Sequence, residues 1–276
     1  IEAGEIYPDR SLAMNAMGGD DNPNIKGISA IEPAFGLPAL WIEEDQKDYA
    51  EAYGYTVVSP SAVVSTHLTE VIKKNAAAIL TRNDVQQLVD NLRKEVSDSY
   101  VDDLMKDMTI TDIQQIAQNL LRERVTIRDL KTILETISLQ SKFSKDYNYL
   151  TEKVRQALAR SICRQNVADN GELMAITISP DVERTLAEGI SPDSQSLTIN
   201  PTYSKLLFSS INNEIQKALT TYGCQPVILC SSPIRRAFRN LIENYYPQIS
   251  IMSYNEISQN VKTKSVGVVR VTKNNV

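Results

Sequence analysis

The sequence predicts a mixed α/β protein, α+β overall, that is helical in its middle and α/β toward its end. Three observations carry this. From residue 81 to 166 apolar side chains recur every three or four positions behind Ser, Thr and Asp capping signals, the period of packed helices. After Asn170-Gly171, short apolar runs alternate with helical stretches, the pattern of a small α/β domain. Before residue 81 the chain is broken by Pro and Gly and shows one strand-to-helix turn.

Residues 1–30 read as loop-rich, with Met17-Gly-Gly-Asp-Asp-Asn-Pro23 as the strongest break. Tyr55-Thr-Val-Val58 is expected as a short strand. Ser59-Pro60-Ser61 then supplies cap chemistry for a helix from about Ala62 to Leu80, because Ser oxygens accept from free backbone N–H groups. Thr81-x-x-Asp84 resembles a capping box ahead of Val85, Leu88, Val89, Leu92 and Val96. Thr111-x-x-Gln114 is expected to open a second helix, Thr126-x-x-Asp129 a third, and Leu150, Val154, Ala157, Leu158 and Ile162 mark a fourth. Short connections favour a compact helical module. Beyond it come a strand at Leu173–Ile178, a helix at Tyr203–Tyr222, a strand at Gln225–Cys230, a helix at Pro233–Tyr246, and strands at Ile249–Met252 and Val266–Val271.

With 276 residues, 42% of them hydrophobic, the chain can fill one large core or two to three small ones. A net charge of −5 argues against nucleic acid, which is held mainly through Lys and Arg on phosphates. Cys163, Cys224 and Cys230 show no metal spacing and read as free thiols of a reducing compartment. No apolar run reaches the roughly 18–20 residues that span a bilayer. The acidic start, Ile1-Glu-Ala-Gly-Glu5, is no signal peptide, and its lack of Met suggests a piece of a longer chain.

A search for chemistry finds no catalytic set. His67 is the only histidine and, inside the run Val63–Leu68, reads as a partly buried structural residue. Ser231-Ser-Pro233 sits where a hydrolase nucleophile would, but lacks the glycines of G-x-S-x-G and reads as a helix cap. Asp20, Asn22 and Asn24 match the first positions of a calcium loop, yet Ile25 stands where Gly is needed and Ile31 where Glu is needed. Adjacent acids at Asp102-Asp103 and Glu43-Glu44-Asp45 could in principle serve a hydrolase, but read as solvated. Leu121-Arg-Glu-Arg-Val-Thr-Ile-Arg128 reads as a solvated or salt-bridged corner, or else as a docking contact. Neither a phosphate loop nor a dinucleotide fingerprint occurs. The expectation is therefore a non-enzymatic chain with no cofactor and no metal.

What remains is Glu32-Pro-Ala-Phe-Gly-Leu-Pro-Ala-Leu-Trp-Ile42. Leu40 and Trp41 read as core. Phe35 lies between Pro33 and Gly36-Leu37-Pro38, in a segment too kinked for regular structure. It is either core or an aromatic anchor held at the surface with little entropy left to lose on binding.

These residues resemble the cytoplasmic part of the FlhA/InvA/SctV family, the export-gate proteins of type III secretion. The resemblance runs through Gly4-Glu-Ile-Tyr-Pro-Asp-Arg10, through Glu32–Ile42 and through Gly54–Glu70. It continues in Asn119–Asp129, Thr132-Ile-Leu-Glu-Thr136, Leu150–Arg155, Pro226-Val-Ile-Leu229, Ile234-Arg-Arg236 and Ser253–Ile257. Gly54–Glu70 and Leu120–Asp129 are closer to the flagellar branch than to the injectisome paralogue, the alternative.

The resemblance implies the soluble part of a multi-pass membrane protein, at the cytoplasmic face of the bacterial inner membrane. It implies four small subdomains: 1–8 with 59–80, its N-terminal part missing; an inserted 9–58; a helical 81–166; and an α/β 167–276. Implied partners are export chaperones with late flagellar substrates, the export ATPase complex and its stalk protein, and other export-gate membrane proteins. Copies of the chain itself would form a nine-membered ring. The family's chaperone site falls on Glu32, Phe35 and Thr66. Phe35 would supply apolar area, Thr66 a hydroxyl near a helix start, and Glu32 an edge charge. Hinges are expected near residue 80 and at 167–171.

Overall fold

A computed structural model describes residues 4–15, 25–168, 170–191 and 196–271. The positions Asp20, Asn22 and Asn24, and the break at Met17–Pro23, lie outside the described residues. The chain forms two compact units, Ile1–Ile79 and Leu80–Val276.

The first unit is built on an antiparallel sheet of β1 (Arg10–Met14), β2 (Gly27–Ile31), β3 (Pro38–Glu43) and β4 (Thr56–Val58), in the order β2-β3-β1-β4. Its strands are short, three to six residues, and β1 and most of β2 fall inside the segment expected to be loop. Strand periodicity puts Leu12, Ala39 and Trp41 on one face with Val63, and Ala13 and Ile42 on the other with Ala50 and Tyr55. Helix α1 (Lys47–Ala52) brings Ala50 to the second face, and α2 (Pro60–Ile79) brings Val63 to the first. Val63 is the only buried residue of α2; Val64, Leu68, Ile72 and Ile79 are exposed.

The second unit holds α3 (Arg82–Glu95), α4 (Asp98–Met105), α5 (Ile110–Arg122), α6 (Leu130–Gln140), α7 (Tyr147–Ala157) and α8 (Ala159–Asn166). These lead into β5 (Glu172–Ile178), α9 (Pro180–Gly189), α10 (Pro201–Tyr222), β6 (Val227–Cys230), α11 (Ser232–Ile242), β7 (Ile251–Ser253) and β8 (Lys262–Val269). Thr81 and Asp84 form the expected capping box. The next start is displaced: Thr109 and Asp112 make the box of α5, two residues before the pair read from the sequence, and Asp129 rather than Thr126 caps α6. Leu158 interrupts the fourth expected helix, dividing it into α7 and α8.

The sheet of this unit is wholly parallel, in the order β7-β6-β5-β8. Parallel strands are covered on both faces, which is why they read as continuous apolar runs. Leu173, Ala175, Val227 and Leu229 face Ile116, Leu120, Leu150, Val154 and Ile162 of the helical segment. Met174, Ile176, Ile178 and Ile228 face Leu186, Leu207, Ile211 and Phe238 of α9, α10 and α11. Helices α5–α8 and the sheet after residue 172 therefore share one core.

Buried charge fastens the same junction. Glu123, just after α5, accepts from Nη1 and Nη2 of Arg235 at 2.6 and 3.0 Å and from Nη1 of Arg155 at 3.2 Å. Arg155 also donates through Nε to Glu256 at 2.6 Å, and Arg235 through Nε to Glu152 at 2.7 Å. Burial alone would raise the Glu123 carboxyl; the guanidinium charges of Arg155 and Arg235 reverse that and hold it at about 2, against 4.5 for a free glutamate. The corner at Leu121–Arg128 is thus salt-bridged through Glu123.

Candidate docking site

The hairpin between β2 and β3 closes on itself. The sheet register pairs Ile31 with Pro38, the Glu32 amide donates to the Leu37 carbonyl at 2.8 Å, and the Gly36 amide donates to the Glu32 carbonyl at 2.9 Å. Gly36 has a φ of 72°, the left-handed region where a side chain is strained, so a glycine is favoured there. The Glu32 carboxylate completes the loop: Oε1 accepts from the Ala34 amide at 2.9 Å and Oε2 from the Phe35 amide at 2.7 Å.

This corrects the expectation for Glu32. It is 3% exposed and is not an edge charge; both oxygens are taken by its own loop, an acid answered by amides as at a helix start. Phe35 is 63% exposed, so the core alternative does not describe it. Trp41, at 3% exposure and 5.9 Å from the Tyr7 ring, is core as expected, and Leu40 is half-buried. The loop is a hydrogen-bonded frame with an aromatic ring standing on it.

Beside the loop opens a largely apolar cleft of about 550 Å³, lined by Ile28, Pro33, Trp41, Val63, Val64 and His67 among others. The loop reaches this cleft through Pro33 and α2 reaches it through Val63, Val64 and His67. Both ring nitrogens of His67 are buried with no hydrogen-bond partner among the described residues. Half-buried as expected, His67 is thus a polar point in an apolar wall. Thr66 is exposed on the second turn of α2 and shares no hydrogen bond with Glu32 or Phe35. The structure joins Glu32 to Phe35 directly and Thr66 to them only through the elements that border the cleft.

The sequence reading missed the cleft and the buried guanidinium groups. Arg235 and Arg239 stand four apart on α11, in step with Ile234, Phe238 and Ile242, and that in-phase spacing was the available signal. Ser231 begins α11, but its side chain makes no cap; its amide donates to Oε1 of Glu183 at 2.8 Å. Among the described residues no cluster of His, Cys, Asp and Glu could hold a metal ion, and no helix is long and apolar enough to cross a membrane.

The sequence pattern of the FHIPEP family matches residues 1–262. The chain belongs to the FHIPEP family. It is 38% identical over 273 residues to the flagellar biosynthesis protein FlhA of Bacillus subtilis (strain 168), covering 98% of this chain and 40% of that protein. It therefore spans about two fifths of the length of such relatives. Among solved structures, the Chlamydia pneumoniae CdsV protein, alone and in complex with CdsO, superposes with a TM-score of 0.82 at 26% identity, covering 97% of this chain and 77% of that one. The nonameric EPEC SctV-C shares the fold, with a TM-score of 0.76 at 24% identity, 96% of this chain and 79% of that one.

Proposed function

We propose that this chain is a non-enzymatic docking platform of the flagellar type III protein export gate, at the cytoplasmic face of the inner membrane. It receives export chaperones carrying late substrates, and it meets the export ATPase complex and other gate proteins within a ring of its own copies. The observation that carries this reading is the exposed Phe35 on a closed loop beside an apolar cleft, in a chain of the FHIPEP family. A rigid aromatic loses little entropy when covered, which is what an interface anchor needs. CdsV, at 26% identity, is solved with a protein partner, CdsO, which supports a docking role for the fold. Relatives near 38% identity are flagellar, whereas the injectisome-type structures stand at 26% or less, which favours the flagellar branch.

On this reading Phe35 supplies the buried area, Thr66 offers a hydroxyl from α2, and Glu32 serves by stiffening the loop. The four-subdomain division belongs to the same proposal. Calorimetry with chaperone–substrate complexes from the same organism tests it. Saturable binding lost in Phe35→Ala and Thr66→Ala is expected; binding that ignores both substitutions overturns the site.

A further inference from the structure

A second site lies in the other unit, where α5, α7 and α11 meet. A polar pocket of about 120 Å³ opens there, and three guanidinium groups line it: Arg122, Arg236 and Arg239. Their neighbours do not neutralise them equally. Glu123 and Glu152, which also line the pocket, are committed to Arg155 and Arg235 behind it. Asp146, which acts on Arg236 from the start of α7, spends its oxygens capping that helix at Asn148 and Tyr149. Arg122 donates to the Asn119 side chain at 2.6 Å. Arg239, 5% exposed, donates to the carbonyls of Ile249 and Pro247 and has an Nε with no partner. Arg236, half-buried, makes no ion pair and no side-chain hydrogen bond with any described residue.

An unpaired guanidinium drawn partly out of water is costly until an anion meets it. Burial acts on Arg236 in that sense, lowering its pKa below the usual guanidinium range. A planar fork of N–H donors matches a carboxylate in two parallel hydrogen bonds. We propose that this pocket binds a carboxylate side chain, Asp or Glu, from an acidic segment of a protein partner. At about 120 Å³ it has room for a carboxylate and its methylene stem and is too small for a nucleotide. Glu123, Glu152 and Glu243 already line it, so a doubly charged phosphate meets more repulsion there than a single carboxylate does. Arg122 and Asn240 are exposed at the rim, leaving the pocket open to a guest.

The test is a titration of the whole chain with acetate, with a hexaglutamate peptide and with inorganic phosphate, read on the arginine Nε–H signals by NMR. Saturable shifts at Arg236 and Arg239 are expected with acetate and more tightly with hexaglutamate, weakened at least about tenfold in Arg236→Ala. Arg236→Lys keeps the charge and stem without the fork, so it should bind with intermediate strength and guards against a folding defect in the Ala variant. Arg93, paired with Asp102 elsewhere in the unit, reports on bulk ionic strength. Equal shifts at Arg93, no saturation, tighter binding of phosphate, or binding unchanged in both Arg236 variants would each overturn the proposal.

Discussion

Glu32 and Glu123 are both largely withdrawn from water, yet they meet that cost in opposite ways. Glu32 is answered by two amides within three residues of itself, with no cation involved. Glu123 is answered by two guanidinium groups, one of them 112 positions away in sequence. The first arrangement stiffens one loop and leaves the ring of Phe35 free. The second ties the α5–α7 layer to the sheet and α11, and its carboxylates have nothing left to offer a partner. Local satisfaction leaves a rigid, exposed surface, whereas long-range satisfaction makes a rigid interior.

The comparison is broken most forcefully at Arg235. Arg235→Ala strands the Glu152 carboxylate and leaves Glu123 with Arg155 alone, and losing one partner of a buried pair costs about 3–5 kcal/mol. Chemical denaturation should show that loss; a cost below about 1 kcal/mol, the worth of a surface pair, would mean the cluster is not structural. Acid probes the same group. Because the Glu123 carboxyl is held at about 2, below its free value of 4.5, the folded state binds fewer protons, and its contribution is complete above pH 4.5 and fades as pH falls toward 2. Denaturation midpoints followed downward from about pH 5 should fall with that slope, and Glu123→Gln should flatten it.

Glu32 sharpens the other side. Glu32→Ala leaves the Ala34 and Phe35 amides without acceptors, costing about 1–3 kcal/mol, while Glu32→Gln keeps one oxygen and should cost less. If Glu32 works by stiffening the loop, docking follows the same order. If Gln and Ala weaken docking equally while stability is untouched, the charge itself is what a partner reads.

The sequence made local features legible and distant ones obscure. The capping box at Thr81 and Asp84 lies within four residues and was readable; β1 and β2 exist only through pairing with strands further along the chain, so their five-residue runs looked like loop. The turn at Phe35 was visible from Pro33, Gly36 and Pro38, but the inward carboxylate of Glu32 was not, since an acid beside a proline suggests solvent. The boundary at Ile79 and Leu80 coincides with the division into compact units. The break at 167–171 does not: Leu173 and Ala175 share a core with α5, α7 and α8, and the ion cluster crosses the same junction, so many contacts span it.

The most direct measurement is the pair of numbers obtained from Phe35→Ala: its melting temperature and its affinity for a native chaperone–substrate complex. With Phe35 63% exposed on a loop held by Glu32, the melting temperature should stay at the wild-type value while binding weakens by about 2 kcal/mol or more, the loss expected of an interface hot spot. A sharply lowered melting temperature with unchanged binding would contradict the account.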